Sequence, residues 1–429
     1  MATRKNSRTE RATRSKERVK LHMVHGYPVL LQHIPTPTMT VMVAINAGFV
    51  HETKATAGIN HLLEHVLTEA WKKCGTTGCS ELWANRGVVM NASTDDTLVQ
   101  YYTTGTLTHM ADMVRYIADI SDHPIFKREV MIHEKEAVID ELSTYGNDPE
   151  SKIDILFNHA VLTGGLAYKD DWQLQINNLK HIGMDELRKA YAENYNSRNM
   201  MYIVSGTFKD SDVLALFQHE LKKKPSGQLR LAPCFTNAHK ILYSHHDTPT
   251  TKVVIGFPSE IKRSDEEGPY VGAMCAILSN LLFSLLRTKL TLVYGVRFNY
   301  RADTCGTLVI CTIYVRDKNA ETCLKALMEE LAKYKKELFP ATAVAALKER
   351  ELYAHYKSLP YTGDYLSQYM NQMDSPKPRI LSYLDKLKLI KKMTPKALAP
   401  VFDKAFQFER ALCVYQGARD LKLKWSDLL

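Results

Sequence analysis

The order of elements predicts an α+β protein of two similar domains, each an antiparallel β-sheet with helices packed on it. Three observations carry that reading: strands run consecutively with helices in blocks, the same element order occurs twice, and a linker falls near the middle. That linker starts at Lys222-Lys223-Lys224-Pro225-Ser226-Gly227 and continues to about Ala238. A local repeat supports duplication: Thr36-Pro37-Thr38 before Val41-Met42-Val43 resembles Thr248-Pro249-Thr250 before Val253-Val254-Ile255, at a constant offset of 212. The expected segments are a basic disordered tail at 1–20, a first domain at 21–223, the linker at 224–239 and a second domain at 240–429.

In chain order, residues 21–48 read as strands, with a turn at His25-Gly26 between two short apolar stretches and a β-branched run from Met39 to Ile45. Helical periods follow at Ala57–Ala70 and Thr77–Asn85. Val88–Ser93 and Leu98–Thr104 read as strands around a Thr94-Asp95-Asp96 turn. Helical patterns occupy about 107–121, 126–145, 149–162 and 184–195, then a strand at Met200–Ser205 and a helix at 210–223. The second half resumes with strand residues at Ile241, a long apolar helix at about 266–289, strands at 292–300 and 306–316, and further helices.

With 429 residues, 45% hydrophobic and 24% charged, the chain is long enough for two or three cored domains and is neither collagen-like nor wholly disordered. Its longest apolar stretch, Cys275 to Leu286, is interrupted by Ser279, Asn280 and Ser284, so the expectation is a soluble, cytoplasmic protein with no membrane partner. The formal charge of +9 is concentrated in residues 1–20, which hold eight bases and only Glu10 and Glu17 as acids. The body is close to neutral, so any nucleic-acid or anionic-surface contact is expected only through that tail. As an organellar presequence the tail is imperfect, because two acids interrupt it and its aliphatic residues are few. A mitochondrion-related organelle and packaging in a particle stay open as alternative locations. The eight cysteines, Cys74 and Cys79 included, read as reduced thiols.

The chemistry is concentrated in Gly58-Ile59-Asn60-His61-Leu62-Leu63-Glu64-His65-Val66-Leu67. On a helix, His61 and His65 lie one turn apart on one face, with Glu64 beside them, so two imidazoles can hold one metal next to a carboxylate. Leu62, Leu63, Val66 and Leu67 would anchor that helix in the core. A catalytic zinc needs a third protein ligand and an open position. Glu134 and Glu141, two turns apart in Val130–Leu142, share a face with Val130, Ala137 and Val138, and either can serve; a solvated acidic face is the alternative.

These residues resemble the inverted zinc motif of the pitrilysin, insulin-degrading enzyme and mitochondrial processing peptidase family, in its short two-domain form. The resemblance implies a zinc metalloendopeptidase with one Zn2+ per chain on His61, His65 and Glu141. It further implies Glu64 as general base, zinc-bound water as nucleophile and Glu134 as a supporting carboxylate. Gly48, Gly58, the Gly87–Ala92 segment, Thr94, Tyr102 and Arg198-Asn199-Met200 sit where the family has similar residues. The strand bearing Val89, Met90, Asn91 and Ala92 is expected to bind the peptide as an added strand.

In the second half, Leu286-Arg287-Thr288-Lys289-Leu290-Thr291-Leu292-Val293-Tyr294 resembles the family segment whose Arg and Tyr contact the substrate carbonyl, which implies that role for Arg287 and Tyr294. Each chain would form half of a clamshell: a homodimer with shared active sites, enclosing a chamber for short unfolded peptides. A presequence-processing subunit and a non-catalytic assembly subunit are the competing readings. Two segments depart from the family: Thr68–Thr76 stands where it commonly carries a glycine-rich or Gly-Thr segment, and Tyr168–Trp172 lacks the glycine usually found there.

Overall fold

The computed structural model describes residues 18–75, 78–145, 151–222, 227, 235–236, 239–262, 265–302, 306–357, 369 and 380–428. Residues 1–17 and most of the expected linker lie outside these, as do Cys234 and Cys305. Strand β1 (Arg18–Val24) takes in the end of the expected tail and forms a hairpin with β2 (Tyr27–His33). The two residues between them, His25 and Gly26, have φ of 51° and 89°, the left-handed pair that a two-residue hairpin needs to match strand twist.

The chain divides into two units. The first is built from Met1–Asn147, Asp171–Leu231 and Thr362–Leu384, the second from Asp148–Asp170, Ala232–Tyr361 and Asp385–Leu429. In the first, β3 (Thr38–Ile45), β4 (Val89–Thr94), β5 (Val99–Thr106) and β6 (Met200–Gly206) complete a six-stranded sheet of order β1-β2-β6-β3-β5-β4. In the second, β7 (Lys240–His245), β8 (Thr250–Ser259), β9 (Val293–Ala302), β10 (Thr307–Arg316) and β11 (Leu412–Gly417) form a sheet of order β7-β11-β8-β10-β9. The sheets are antiparallel, as expected, but for one pair in each: β2 with β6, and β7 with β11, pair in parallel. A parallel pair needs a long crossover, and the helices between each pair supply it.

The two sheets correspond strand for strand apart from β1, as the repeat suggested. At the same offset, β3 and β8 begin at Thr38 and Thr250, and their backbone N–H groups donate to Thr36 Oγ1 (3.3 Å) and Thr248 Oγ1 (3.4 Å). The first sheet buries both faces. Val29, Leu31, Val41, Val43, Tyr202 and Val204 point to the main helical core, and Leu30, Met42, Ala44, Met201 and Ile203 to a smaller core that includes Tyr369.

The helices of the first unit are α1 (Ile59–Thr68), α2 (Cys79–Ala84), α3 (Met110–Asp122), α4 (Arg128–Tyr145), α6 (Trp172–Leu179), α7 (Met184–Asn194) and α8 (Asp210–Glu220). Helix α5 (Ser151–Val161) corrects the expected domain limits. Although it precedes the expected linker, it belongs to the second unit and packs on β11, β7 and β8. A Cβ on Gly256 of β8 would lie 2.6 Å from Phe157 Cζ, so glycine there makes room for the ring. Helical periodicity identifies a buried face but not the sheet that buries it.

On the opposite face of the second sheet, Val253, Ile255, Phe257, Val309 and Ile313 pack in the core with α9 (Gly268–Leu282), α10 (Ala320–Tyr334) and α13 (Pro395–Ala405). Two further helices, α11 (Ala341–Lys357) and α12 (Tyr383–Lys392), precede α13, and α14 (Trp425–Leu428) follows β11. α9 runs on through a π-helical turn, Phe283–Lys289, so the helix Gly268–Lys289 is long enough, and over an 18-residue stretch of mean hydropathy 1.7 apolar enough, to cross a membrane. In this unit it is a core helix packed on β9. Cys275, Cys311, Cys323 and Cys413 are buried free thiols, as expected. Cys74 and Cys79 correct that expectation: they form a disulfide, their Cα atoms 4.7 Å apart, within the range a bridge requires.

Candidate metal centre

Helix α1 starts at a glycine for a steric reason. Gly58 has φ 95°, a left-handed conformation that costs a side chain dearly, and it lets the chain turn into the helix. The first free N–H groups are met by Glu52, whose carboxylate accepts from Gly58 N (2.9 Å) and Asn60 N (2.8 Å). Burial pushes the Glu52 carboxyl up to about 8, against the pull of those two bonds. Sequence reading missed Glu52; an acid just ahead of an N-terminal glycine was the available signal. Leu62, Leu63, Val66 and Leu67 are buried as expected, fixing the helix axis and turning His61 and His65 to one side.

Helix α4 presents the third group. Its stripe runs Met131, Glu134, Val138, Glu141, Leu142 and Tyr145, at helical spacing; Met131, Val138 and Leu142 are buried. The sequence-level face is corrected at Ala137, which is exposed, because the stripe turns slightly further round the axis.

Together α1 and α4 bring His61, His65 and Glu141 to one point, with one ligand atom from each within 4.8 Å of the others. His61 Nε2 lies 3.7 Å and His65 Nε2 3.8 Å from Glu141 Oε2. A tetrahedral zinc with bonds of about 2.0–2.2 Å sets donor–donor edges of about 3.3–3.6 Å, so this donor set fits zinc after a small inward shift.

The surrounding groups prepare each ligand. Glu134 Oε2 lies 3.2 Å from His65 Nδ1, and its Oε1 lies 3.1 Å from His133 Nδ1. The His65 hydrogen bond holds the Glu134 carboxyl below the usual range, so it is an ionised acceptor. His65 Nδ1 therefore donates, and in the neutral ring Nε2 carries the lone pair that a metal ligand requires. Burial works to lower the His65 imidazole, but the Glu134 bond and the charges of Glu64, Glu134 and Glu141 outweigh it and raise it. Burial, then the charge of His65, push His61 down to about 4, which favours its neutral form.

Glu64 is buried beside the cluster, and Thr94 Oγ1 donates to its Oε2 at 3.0 Å. Burial pushes the Glu64 carboxyl up to about 7, a value suited to exchanging a proton near neutrality.

These groups line one pocket of about 610 Å³ in the first unit. Met90, Asn91 and Ala92 form part of its wall, and Val89 is 61% exposed. Their strand β4 is the last of its sheet, so its outer edge has no strand partner among the described residues. Phe49, Tyr145 and Trp172 also line the pocket and were not singled out from sequence, since aromatics at helix ends read as ordinary core. Arg287 and Tyr294 lie in the second unit. Arg287 is on the π-helical turn, its guanidinium carbon 5.9 Å from the centroid of the Tyr294 ring at the start of β9, and its Nη1 donates to Val293 O at 3.0 Å.

Comparison with known proteins gives the family and the fold. Residues 28–166 match the family model described as Insulinase (Peptidase family M16), and residues 181–351 the one described as Peptidase M16 inactive domain. An uncharacterized zinc protease of Streptomyces coelicolor is 23% identical over 297 residues, 66% of this chain and 64% of that protein. The mitochondrial-processing peptidase subunit beta of Blastocladiella emersonii is 23% identical over 247 residues, 56% of this chain and 52% of that one. Cytochrome b-c1 complex subunit 1 of Bos taurus is 22% identical over 239 residues, 54% and 49%. The chain thus spans about half to two thirds of the length of these curated relatives. The fold is that of a protease from Helicobacter pylori, with a TM-score of 0.78 at 16% identity over 93% of this chain and 99% of the other.

Proposed function

The chain belongs to the M16 peptidase family, and on that premise we propose that it is a zinc-dependent endopeptidase acting on short, unfolded peptides. The observation that carries this reading is the convergence of His61, His65 and Glu141 in a pocket that also holds Glu64. Zinc would be held by His61 Nε2, His65 Nε2 and Glu141 Oε2, and when bound it supplies Lewis acidity towards water and the scissile carbonyl.

The chain's own residues do the rest. Thr94 occupies Glu64 Oε2, leaving Oε1 to take the proton of the attacking water and return it to the leaving amine nitrogen. Glu134 keeps the His65 ring in one tautomer and orientation. The open edge of β4, at Val89 to Ala92, aligns the peptide by main-chain hydrogen bonds, which give affinity without demanding a sequence. Arg287 and Tyr294 would stabilise the developing oxyanion from the second unit of a partner copy, in a homodimer that closes as a clamshell.

A non-catalytic role is the second reading, favoured by the resemblance to a cytochrome b-c1 subunit and by the inactive-domain description of the second half. The intact donor set and Glu64 oppose it. Elemental analysis of wild-type and His65→Ala protein, with quenched-peptide cleavage in the same samples with and without chelator, separates the two. About one zinc per chain, lost with His65 and accompanied by chelator-sensitive cleavage, supports the peptidase; a metal-free, inactive, folded protein supports the assembly role.

A further inference from the structure

Tyr294 has a second cationic neighbour that the family resemblance does not assign. Arg316, the last residue of β10, donates from Nε to Tyr294 Oη at 2.8 Å, and its guanidinium carbon lies 5.7 Å from the ring centroid. With Arg287 5.9 Å from the same centroid, one exposed phenol has two guanidinium groups as neighbours.

We propose that Arg316 is a positioning residue for the peptidase reaction, orienting and polarising the Tyr294 hydroxyl so that its proton points to the oxyanion. The proposal rests on the reading of Tyr294 as a substrate contact. A phenol oxygen both accepts and donates. With its acceptor side filled by an arginine N–H, its own proton is directed elsewhere, and a cationic donor makes that proton a stronger hydrogen-bond donor. The backbone at Arg316 is well placed to hold still. It registers with Thr250 of β8, and the next residue, Asp317, accepts from Thr251 Oγ1 at 2.6 Å. The Arg287–Tyr294 segment carries its own constraints: the π-helical turn, and Thr291 at φ 53°, a backbone state that a β-branched residue adopts only under constraint. Such departures cluster at functional sites.

The experiment is a double-mutant cycle in the full chain with Tyr294→Phe, Arg316→Gln and the combined variant, alongside Arg316→Lys. Peptide turnover is read as kcat and KM, and folding by circular dichroism. An interaction made only in the transition state lowers kcat and kcat/KM together, so Arg316→Gln is expected to lower both about tenfold with little change in KM. It should have no further effect once Tyr294 is Phe, and Arg316→Lys should restore part of the rate. Independent multiplication of the two effects, or an unchanged Arg316→Gln enzyme, overturns the proposal. A Tyr294→Phe enzyme as fast as wild type overturns instead the reading on which it rests. In protein that shows no turnover, the 13Cζ resonance of Tyr294, identified by its loss in Tyr294→Phe, is expected to move in Arg316→Gln; an unmoved line is equally fatal.

Discussion

Thr94 Oγ1 and Glu64 Oε2 are 3.0 Å apart, joining the edge strand β4 to the helix that bears both histidines. The carboxylate is thereby tied to the strand along which the substrate is proposed to lie. Replacing Thr94 by Val removes one hydrogen bond to a charged acceptor, worth roughly 1.5–3 kcal/mol. Zinc content should be unchanged and kcat/KM should fall by about tenfold or more, whereas Glu64→Gln should retain zinc and lose turnover. Metal analysis and steady-state kinetics on the same preparations check both.

Removal of Glu134 tests how the metal site is supported. Glu134→Gln cannot hold His65 Nδ1 with a charged acceptor, so zinc affinity should drop roughly 10–100-fold while Glu141→Ala should abolish stoichiometric binding. Competition with a chelator of known affinity gives the two numbers.

Thr291 stores strain at φ 53°, where glycine sits freely. Left-handed backbone costs an ordinary residue about 1–2 kcal/mol, and a new glycine costs the unfolded-state entropy of about 0.5–1 kcal/mol. Thr291→Gly is therefore expected to stabilise the protein by about 0.5–1 kcal/mol in urea unfolding. An unchanged or lower midpoint would show that the side chain, rather than the backbone, matters there.

His123 closes α3 with a hydrogen bond to Asp119 (Nε2 to Oδ1, 2.6 Å) and a longer one to Asp122, and these raise its imidazole to about 9. The shift is upward, so its contribution to stability is complete below the unfolded value near 6.5 and is lost as pH rises through about 9. With the side chain 30% exposed, a screened contribution on the order of 1–2 kcal/mol is expected. Wild-type protein should lose that much between pH 6 and about 9.5, and His123→Gln should show a flatter profile by chemical denaturation.

Much of this structure was readable because it is local. The helix bearing His61 and His65, the face shared by Glu134 and Glu141, and the turn at His25-Gly26 follow from spacing within a few residues. The repeat at Thr36 and Thr248 survives as two matching turns at the start of β3 and β8. What escaped depends on partners distant in sequence. The parallel pairing of β2 with β6 joins strands separated by most of the first unit, and the Phe157–Gly256 packing that draws α5 to the second sheet is equally non-local. Glu52 escaped for a different reason. An isolated acid ahead of a glycine has no periodicity to announce it, and its value lies in two backbone bonds that exist only once α1 has formed.

The interleaving of the two units sets an order of events on the ribosome. The first sheet can pair its strands once Gly206 has emerged, but one side of it is covered by Tyr369 and Ile380, which are made much later. Until then Leu30, Met42 and Ile203 face water, and α5 waits for strands not yet synthesised. Neither half can therefore mature as an autonomous nascent domain. Splitting the gene at the central linker should yield two sticky fragments that need each other, or a chaperone, to become soluble.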